Sequence, residues 1–241
     1  MTILILFLTA LGSSIISGLV GMAGGVTLLA VMTFFFPMHV IVPVHGLVQF
    51  VSNSSRTWIL REHVHRESFV PFLIGVPIGG VAVWFFLSNL DRPEWILGIV
   101  AALLFYVAFK PKKLPELKLG TKGFWLLGVA ASFLGSLVGA TGPLMAPFFA
   151  RSDFTKEQIV ATKAACQLLV HIVKVPIFLG LAFPYQDYWL ETAVMVVGVI
   201  IGTKLGTSLL KSMSTQRFMI LLKVALALTG LRITIKMLTS S

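Results

Sequence analysis

Apolar residues run through this chain in long blocks, and the polar positions inside two of those blocks correspond. The stretch at 155–180 is largely apolar but carries Lys163, Gln167, His171 and Lys174. The stretch at 38–58 is similarly apolar and carries His45, Gln49, Asn53 and Arg56. Both sets are spaced 4, 4 and 3, and each residue of one lies 118 positions from its counterpart in the other. At about 100° per residue, these spacings gather four polar groups within an arc of about 80° of a helix. The pattern predicts two long helices with one polar stripe each, as a duplicated membrane protein would need to line a polar path.

Other matches extend the duplication. Ser14, Leu19, Val20, Gly21, Gly24, Val42 and Gln49 recur as Ser132, Leu137, Val138, Gly139, Gly142, Val160 and Gln167 at the same offset. Gly75, Val76, Ile78, Gly79 and Leu87 recur as Gly198, Val199, Ile201, Gly202 and Leu210 at an offset of 123, which fits an insertion near Phe183–Asp187. The expected organisation is a first membrane repeat at 1–110, a basic linker at 111–122 and a second membrane repeat at 123–241. The linker region reads as a surface loop, since Lys110–Lys122 holds five lysines, two prolines and a glycine.

Each half opens on a glycine-rich interruption. Residues 2–36 form one apolar run of 35 residues, about 52 Å as a single helix and too long for one comfortable span. In its middle stands Gly21-Met-Ala-Gly-Gly25, matched by Gly139-Ala-Thr-Gly-Pro143 in the second copy. Glycine and proline there predict two short arms meeting at a break, either a re-entrant hairpin or a discontinuous helix. Three spans are expected to follow in each half, near 38–58, 67–88 and 93–110, then 155–180, 188–210 and 214–237.

Composition narrows this to one class. The chain has 241 residues, 57% hydrophobic and 12% charged, more apolar surface than a soluble domain of this size can bury. The first segment lacks a basic n-region and a clear cleavage site, so it is expected to be retained. The net charge of +10 does not point to nucleic acid, because the basic residues are scattered over loops and spans. Their placement predicts topology instead. With a hairpin plus three spans per half and both termini outside, twelve Lys and Arg, Arg56 among them, fall on the inner side and two on the outer. Eight ordinary spans give nine against five. An odd number of crossings per half makes the halves inverted repeats. The expected fold is therefore an all-α polytopic membrane protein of two inverted repeats, each a broken or re-entrant helix hairpin plus three transmembrane helices, multi-pass in the inner or plasma membrane.

The residues also suggest a family. Gly18-Leu-Val-Gly-Met-Ala-Gly-Gly25 and Gly135-Ser-Leu-Val-Gly-Ala-Thr-Gly142 open the two halves, and Gly75-Val-Pro-Ile-Gly79 and Gly198-Val-Ile-Ile-Gly-Thr-Lys-Leu-Gly206 follow in order. Over almost its whole length the chain resembles the TauE/SafE sulfite-exporter family, also called the sulfonate uptake permeases. The resemblance implies a multi-pass transporter of sulfite, sulfoacetate or related sulfonates, importing or exporting. Pro143 stands where the first break has Gly25, a departure that touches the backbone contacts at the second break.

The candidate site follows from the breaks and stripes. If Gly24-Gly25 and Gly142-Pro143 each start a short helix, free N–H groups and two positive dipole ends face mid-membrane and suit an anion. Close packing of small residues is the plainer alternative. Thr141 adds a hydroxyl, and Thr27 stands near the first break. Lys163 lies within its span, where a charge is costly unless it meets a wet cavity, a partner or the interface. Gln49 and Gln167 offer neutral donors or a helix–helix hydrogen bond. His45 and His171 suit anion oxygens or a coupled proton, and Asn53 completes the set. Arg56 reads as a determinant at the inner interface, Lys174 as an entrance or snorkelling charge, Cys166 as a packed small residue, and Lys204 and Lys223 as snorkelling residues. No carboxylate sits mid-span, so a carboxylate proton relay or sodium site is not visible.

The reading is a secondary transporter of a small anion. Its partners are that anion and the bilayer, with a coupling proton or sodium ion and the oligomeric state left open, and no cofactor or metal is expected. A passive anion channel is the alternative within transport. Ser13 or Ser14 with His45 superficially offers a nucleophile and base for an intramembrane hydrolase, but the second half repeats Ser132 with Lys163 where His45 stands. A non-conducting structural or signalling protein completes the alternatives.

Overall fold

In a computed structural model, residues 1–21, 23–89, 118–139 and 141–221 are described. They form α1 (Thr2–Val20), α2 (Gly24–Met32), α3 (Met38–Ile59), α4 (Arg66–Ser88), α5 (Thr121–Val138), α6 (Gly142–Phe149), α7 (Lys156–Gly180) and α8 (Trp189–Ser212). Short 3-10 turns lie at Arg61–His63 and Tyr185–Tyr188, and there is no strand among the described residues. The expected spans match α3, α4, α7 and α8 to within two residues at each end. The span at 93–110, most of 214–237, residues 111–117 of the linker and Lys223 lie outside the described residues.

Five of these stretches are long and apolar enough to cross a membrane: α1, α4, α5, α7 and Tyr185–Ser212. This is a multi-pass membrane protein. α3 has 22 residues, about 33 Å, but its buried stripe lowers its hydropathy. That stripe is turned inward: His45, Asn53 and Arg56 are buried, while Trp58 is exposed.

The apolar contacts give the chain directions. α1, α3 and α8 each start in a cluster holding Leu6, Ala10, Val40, Ile41, Met195 and Val199 and end in one holding Val20, Leu60 and Leu210. Ile159 and Val160, at the start of α7, belong to the second of these, so α7 runs opposite to α3. α4, α5 and α7 run together, from a cluster with Phe72, Phe124 and Cys166 to one with Val83, Leu137 and Ile177. The main contacts exchange the halves: α1 packs on α8 as α5 packs on α4, and α3 packs on α7.

Glycine makes two of those contacts possible. A Cβ on Gly198, Gly202 or Gly206 would fall 2.9, 2.3 or 2.4 Å from the carbonyl oxygens of Phe7, Leu11 and Ile15. On the other side, Gly75 and Gly79 meet the carbonyls of Trp125 and Val129 at 2.2 and 2.1 Å in the same sense. These four-residue glycine steps let parallel backbones touch, which is how helices associate where lipid removes the hydrophobic drive.

Both interrupted runs fold back on themselves as helix hairpins. Leu28 and Met32 of α2 lie with Leu6 and Ala10 of α1, so α2 returns along α1 instead of continuing it. Met145 and Phe149 of α6 likewise return to Phe124 and Ala131 of α5. With nine and eight residues, these arms reach about 13 Å, less than half the hydrocarbon core.

At the start of α7, Thr155 and Gln158 form a capping box: the Gln158 N–H donates to Thr155 Oγ1, and the Thr155 N–H donates to Gln158 Oε1. The next residue closes the far end of α8. Lys156 Nζ donates to the carbonyls of Leu210 at 2.7 Å, Lys211 at 3.4 Å and Met213, groups a helix end leaves without partners. Lys156→Met is expected to cost about 2 kcal/mol and to lower the melting temperature by about 5 °C, read by thermal denaturation in detergent.

Candidate functional site

The two breaks are built alike. α1 ends on Gly21 with φ 77° and α5 on Gly139 with φ 86°, left-handed positions that suit a residue without Cβ at a helix C-terminus. Each is tied to α7: Lys163 Nζ donates to the Gly21 carbonyl at 2.6 Å, and Lys174 Nζ donates to the Gly139 carbonyl at 2.7 Å. A cation at the negative end of a helix dipole is favourable. Both lysines are 0% exposed, which corrects the snorkelling and entrance readings of Lys174. The stem of Lys174 passes where Gly46 has no Cβ, at 3.1 Å from the position one would take.

Beyond each break a short helix begins with free N–H groups. Neither α2 nor α6 has a side-chain N-cap bond, so the first N–H groups are left to other partners. Gly24 allows the close return: its Cβ would fall 1.8 Å from the Ser13 carbonyl oxygen and 2.2 Å from Ser17 Oγ. Ala23 holds φ 72° just before it, a strained position for a residue with a Cβ.

The two starts meet at a small cavity of about 10 Å³, room for about one water. Gly25, His45, Gln49, Arg56, Gly142 and Gln167 line it, with His171, Ser17, Ala23 and Val26. Gln49 Oε1 lies 3.4 Å from where a Gly25 Cβ would stand. Gln167 Nε2 and Lys163 Nζ lie 3.5 and 3.9 Å from the corresponding point at Gly142. Each half therefore contributes a helix start and an amide. His45 donates through Nε2 to the Gly25 carbonyl at 2.8 Å, and its ring meets that of His171 edge-on with centroids 6.0 Å apart.

Arg56 is where sequence reasoning missed. It was expected at the inner interface, yet it is 1% exposed and lines the cavity. Its Nη1 donates to Asn53 Oδ1 at 3.1 Å and its Nη2 to Ser52 Oγ at 3.2 Å. Ser52 Oγ in turn meets Ser14 Oγ at 2.9 Å and Thr203 Oγ1 at 3.4 Å, so α1, α3 and α8 fix the guanidinium jointly. The signal was in the stripe itself: Arg56 follows Asn53 by three residues and matches Lys174 across the repeat.

The remaining expected residues divide. Asn53 holds Arg56 and donates through Nδ2 to the Gln49 carbonyl at 2.8 Å, outside the cavity wall. Thr141 is buried with an unbonded Oγ1 but does not line the cavity, and Gly24 packs on α1. Thr27 bonds the Ala23 carbonyl in its own helix. Cys166 is packed beside Met145 and Val170, as expected, and Lys204 is exposed on α8. Among the described residues, Arg56, Lys163 and Lys174 form no ion pair with a carboxylate. Arg56 and two helix starts thus line the cavity, and Lys163 and Lys174 sit at the two breaks beside it.

No curated protein sequence and no solved structure matches the chain. The family model for the sulfite exporter TauE/SafE matches residues 6–233, nearly the full length of the chain: the chain belongs to the TauE/SafE sulfite exporter family.

Proposed function

We propose that the chain is a secondary transporter of a small sulfur-containing or organic anion, such as sulfite, sulfoacetate or a related sulfonate, bound between the two re-entrant breaks. One observation carries this: a small, largely buried cavity is lined from both halves by two helix starts, two amides and Arg56, with no carboxylate paired to Arg56, Lys163 or Lys174 among the described residues. Helix starts, amides and a guanidinium around one cavity offer N–H donors and positive charge to an anion. The cavity holds about one water, so an oxyanion of four or more heavy atoms enters only if the side chains or short helices move. That favours a site opening to one side at a time over an open channel.

The proposed membrane arrangement is a pair of inverted repeats in the plasma membrane with both termini outside. The opposite chain directions of α1, α3 and α8 against α4, α5 and α7 support it. So does the charge distribution, which keeps its bias after Arg56 is removed from the inner count. Reporter fusions at the 111–120 loop and at Ser241 are expected on opposite sides of the membrane; the same side refutes the arrangement.

The function is tested in proteoliposomes with radiolabelled sulfite and competing thiosulfate, sulfoacetate, taurine and simple carboxylates. Counterflow, in which unlabelled anion inside accelerates uptake of label, is expected. Flux without counterflow establishes a channel, and no anion flux refutes transport.

A further inference from the structure

We propose that His45 is the seat of a proton carried together with the anion, making the protein an anion–proton symporter. The inference rests on the reading of the cavity as the anion site. The Gly25 carbonyl only accepts, so the His45 nitrogen 2.8 Å from it, Nε2, carries the ring hydrogen and Nδ1 is left as a lone pair. That Nδ1 is buried without a hydrogen-bond partner, in a ring that is 0% exposed and lines the cavity. A bare acceptor in a dry interior is costly; a proton on it turns the ring into a double donor. The Gly139 carbonyl, at the opposite break, is the second backbone oxygen near the ring. A protonated His45 thus stands between the two breaks whose separation encloses the anion.

The surroundings set the stoichiometry and the sign. His171, also with an unbonded Nδ1, lies edge-on at 6.0 Å. Two imidazolium rings that close repel, so the pair takes one proton. The charged group acting on the ring is Lys174 of α7; Arg56 of α3 lines the same cavity, and Lys163 of α7 lies at the Gly21 break. Among the described residues, α1, α2 and α6 contain no charged side chain, Lys122 in the first turn of α5 is exposed, and Lys204 of α8 is exposed. All of these groups are cationic. The bound anion is the opposite charge at the site, so anion and proton bind cooperatively, each favouring the other by the same factor. The proton comes from water on the side to which the cavity opens, adds to the Nδ1 lone pair, and returns to water with the anion on the other side. The charge moved falls by one.

The test uses the full chain in liposomes with radiolabelled sulfite and compares two fluxes: exchange at equal pH, and accumulation driven by an acid exterior. Sulfite's own titration is common to every variant, so changes in the ratio of the fluxes report the protein's proton. His45→Gln keeps an amide donor toward Gly25 and takes up no proton. Exchange is expected to fall, since the side chain lines the cavity, and the ratio of driven to exchange flux to fall by about tenfold beyond that. Where the variant exchanges too slowly to measure, proton uptake on adding sulfite to detergent-purified protein decides. Wild type is expected to take up about one proton per bound anion more than the variant. An unchanged ratio, or equal proton uptake, overturns the inference alone. Wild-type protein that exchanges no anion overturns the transport reading and this inference with it.

Discussion

Arg56→Gln is expected to reduce anion exchange about a hundredfold, the largest functional effect of any single substitution at this site. The guanidinium lines the cavity, is 1% exposed, and is held by Asn53 and Ser52. Its Nε has no partner among the described residues, so one donor remains for a ligand. Losing a charge-assisted hydrogen bond in a dry site costs about 3 kcal/mol, and about 1.4 kcal/mol is a factor of ten. Glutamine keeps a donor for Asn53 or Ser52, so the fold is expected to melt within a few degrees of wild type. Arg56→Lys restores the charge without the planar fork and is expected to recover only part of the flux. Counterflow of sulfite and anion-dependent thermal stabilisation read the effect together. Exchange within threefold of wild type, with normal stabilisation, removes Arg56 from the site.

Gly24→Ala is expected to damage the structure itself. The added carbon would stand 1.8 Å from the Ser13 carbonyl oxygen and 2.2 Å from Ser17 Oγ. The obstacle at Ser13 is backbone, so no rotamer change relieves it and α2 must move off α1. Overpacking of this kind costs about 3 kcal/mol or more, a fall in melting temperature of about 10 °C. Because α2 carries Gly25 and Val26 into the cavity wall, exchange is expected to fall with stability. Gly12→Ala is the control on the neighbouring helix: nothing lies within 4 Å of its added carbon, and alanine favours helix. Its melting temperature is expected to be unchanged or slightly higher. Equal effects of the two substitutions would refute the close return of α2.

The stripe residues show how much of the site was legible. Spacing alone put His45, Gln49 and Arg56 on one face of α3, and Lys163, Gln167, His171 and Lys174 on one face of α7, because helical periodicity is local and survives any tertiary arrangement. Spacing did not say which of these groups meet each other. Lys163 reaches 142 positions back to Gly21, a contact made by the crossing of the halves. Arg56 was assigned to the interface because hydropathy places a residue by its distance from a span's end. Its actual environment is set by Ser14 and Thr203, brought to Ser52 from α1 and α8. The glycines that carry the family resemblance in α4 and α8 are contact points between parallel backbones. Those in the breaks serve two further ends, left-handed helix termination at Gly21 and Gly139 and close approach at Gly24.

What the sequence determined by itself was therefore the class, most helix boundaries and the polar faces, since all of these follow from composition and period along one chain. Only the tertiary structure decided that the broken runs turn back as hairpins, that α1 packs on α8 and α5 on α4, and that Lys163 and Lys174 cap the two breaks. It also decided that Arg56 belongs to the cavity. The physical reason is that lipid, as apolar as the helix surfaces it touches, leaves partner choice to backbone fit and to the burial of polar groups. Both are properties of surfaces brought together from distant parts of the chain.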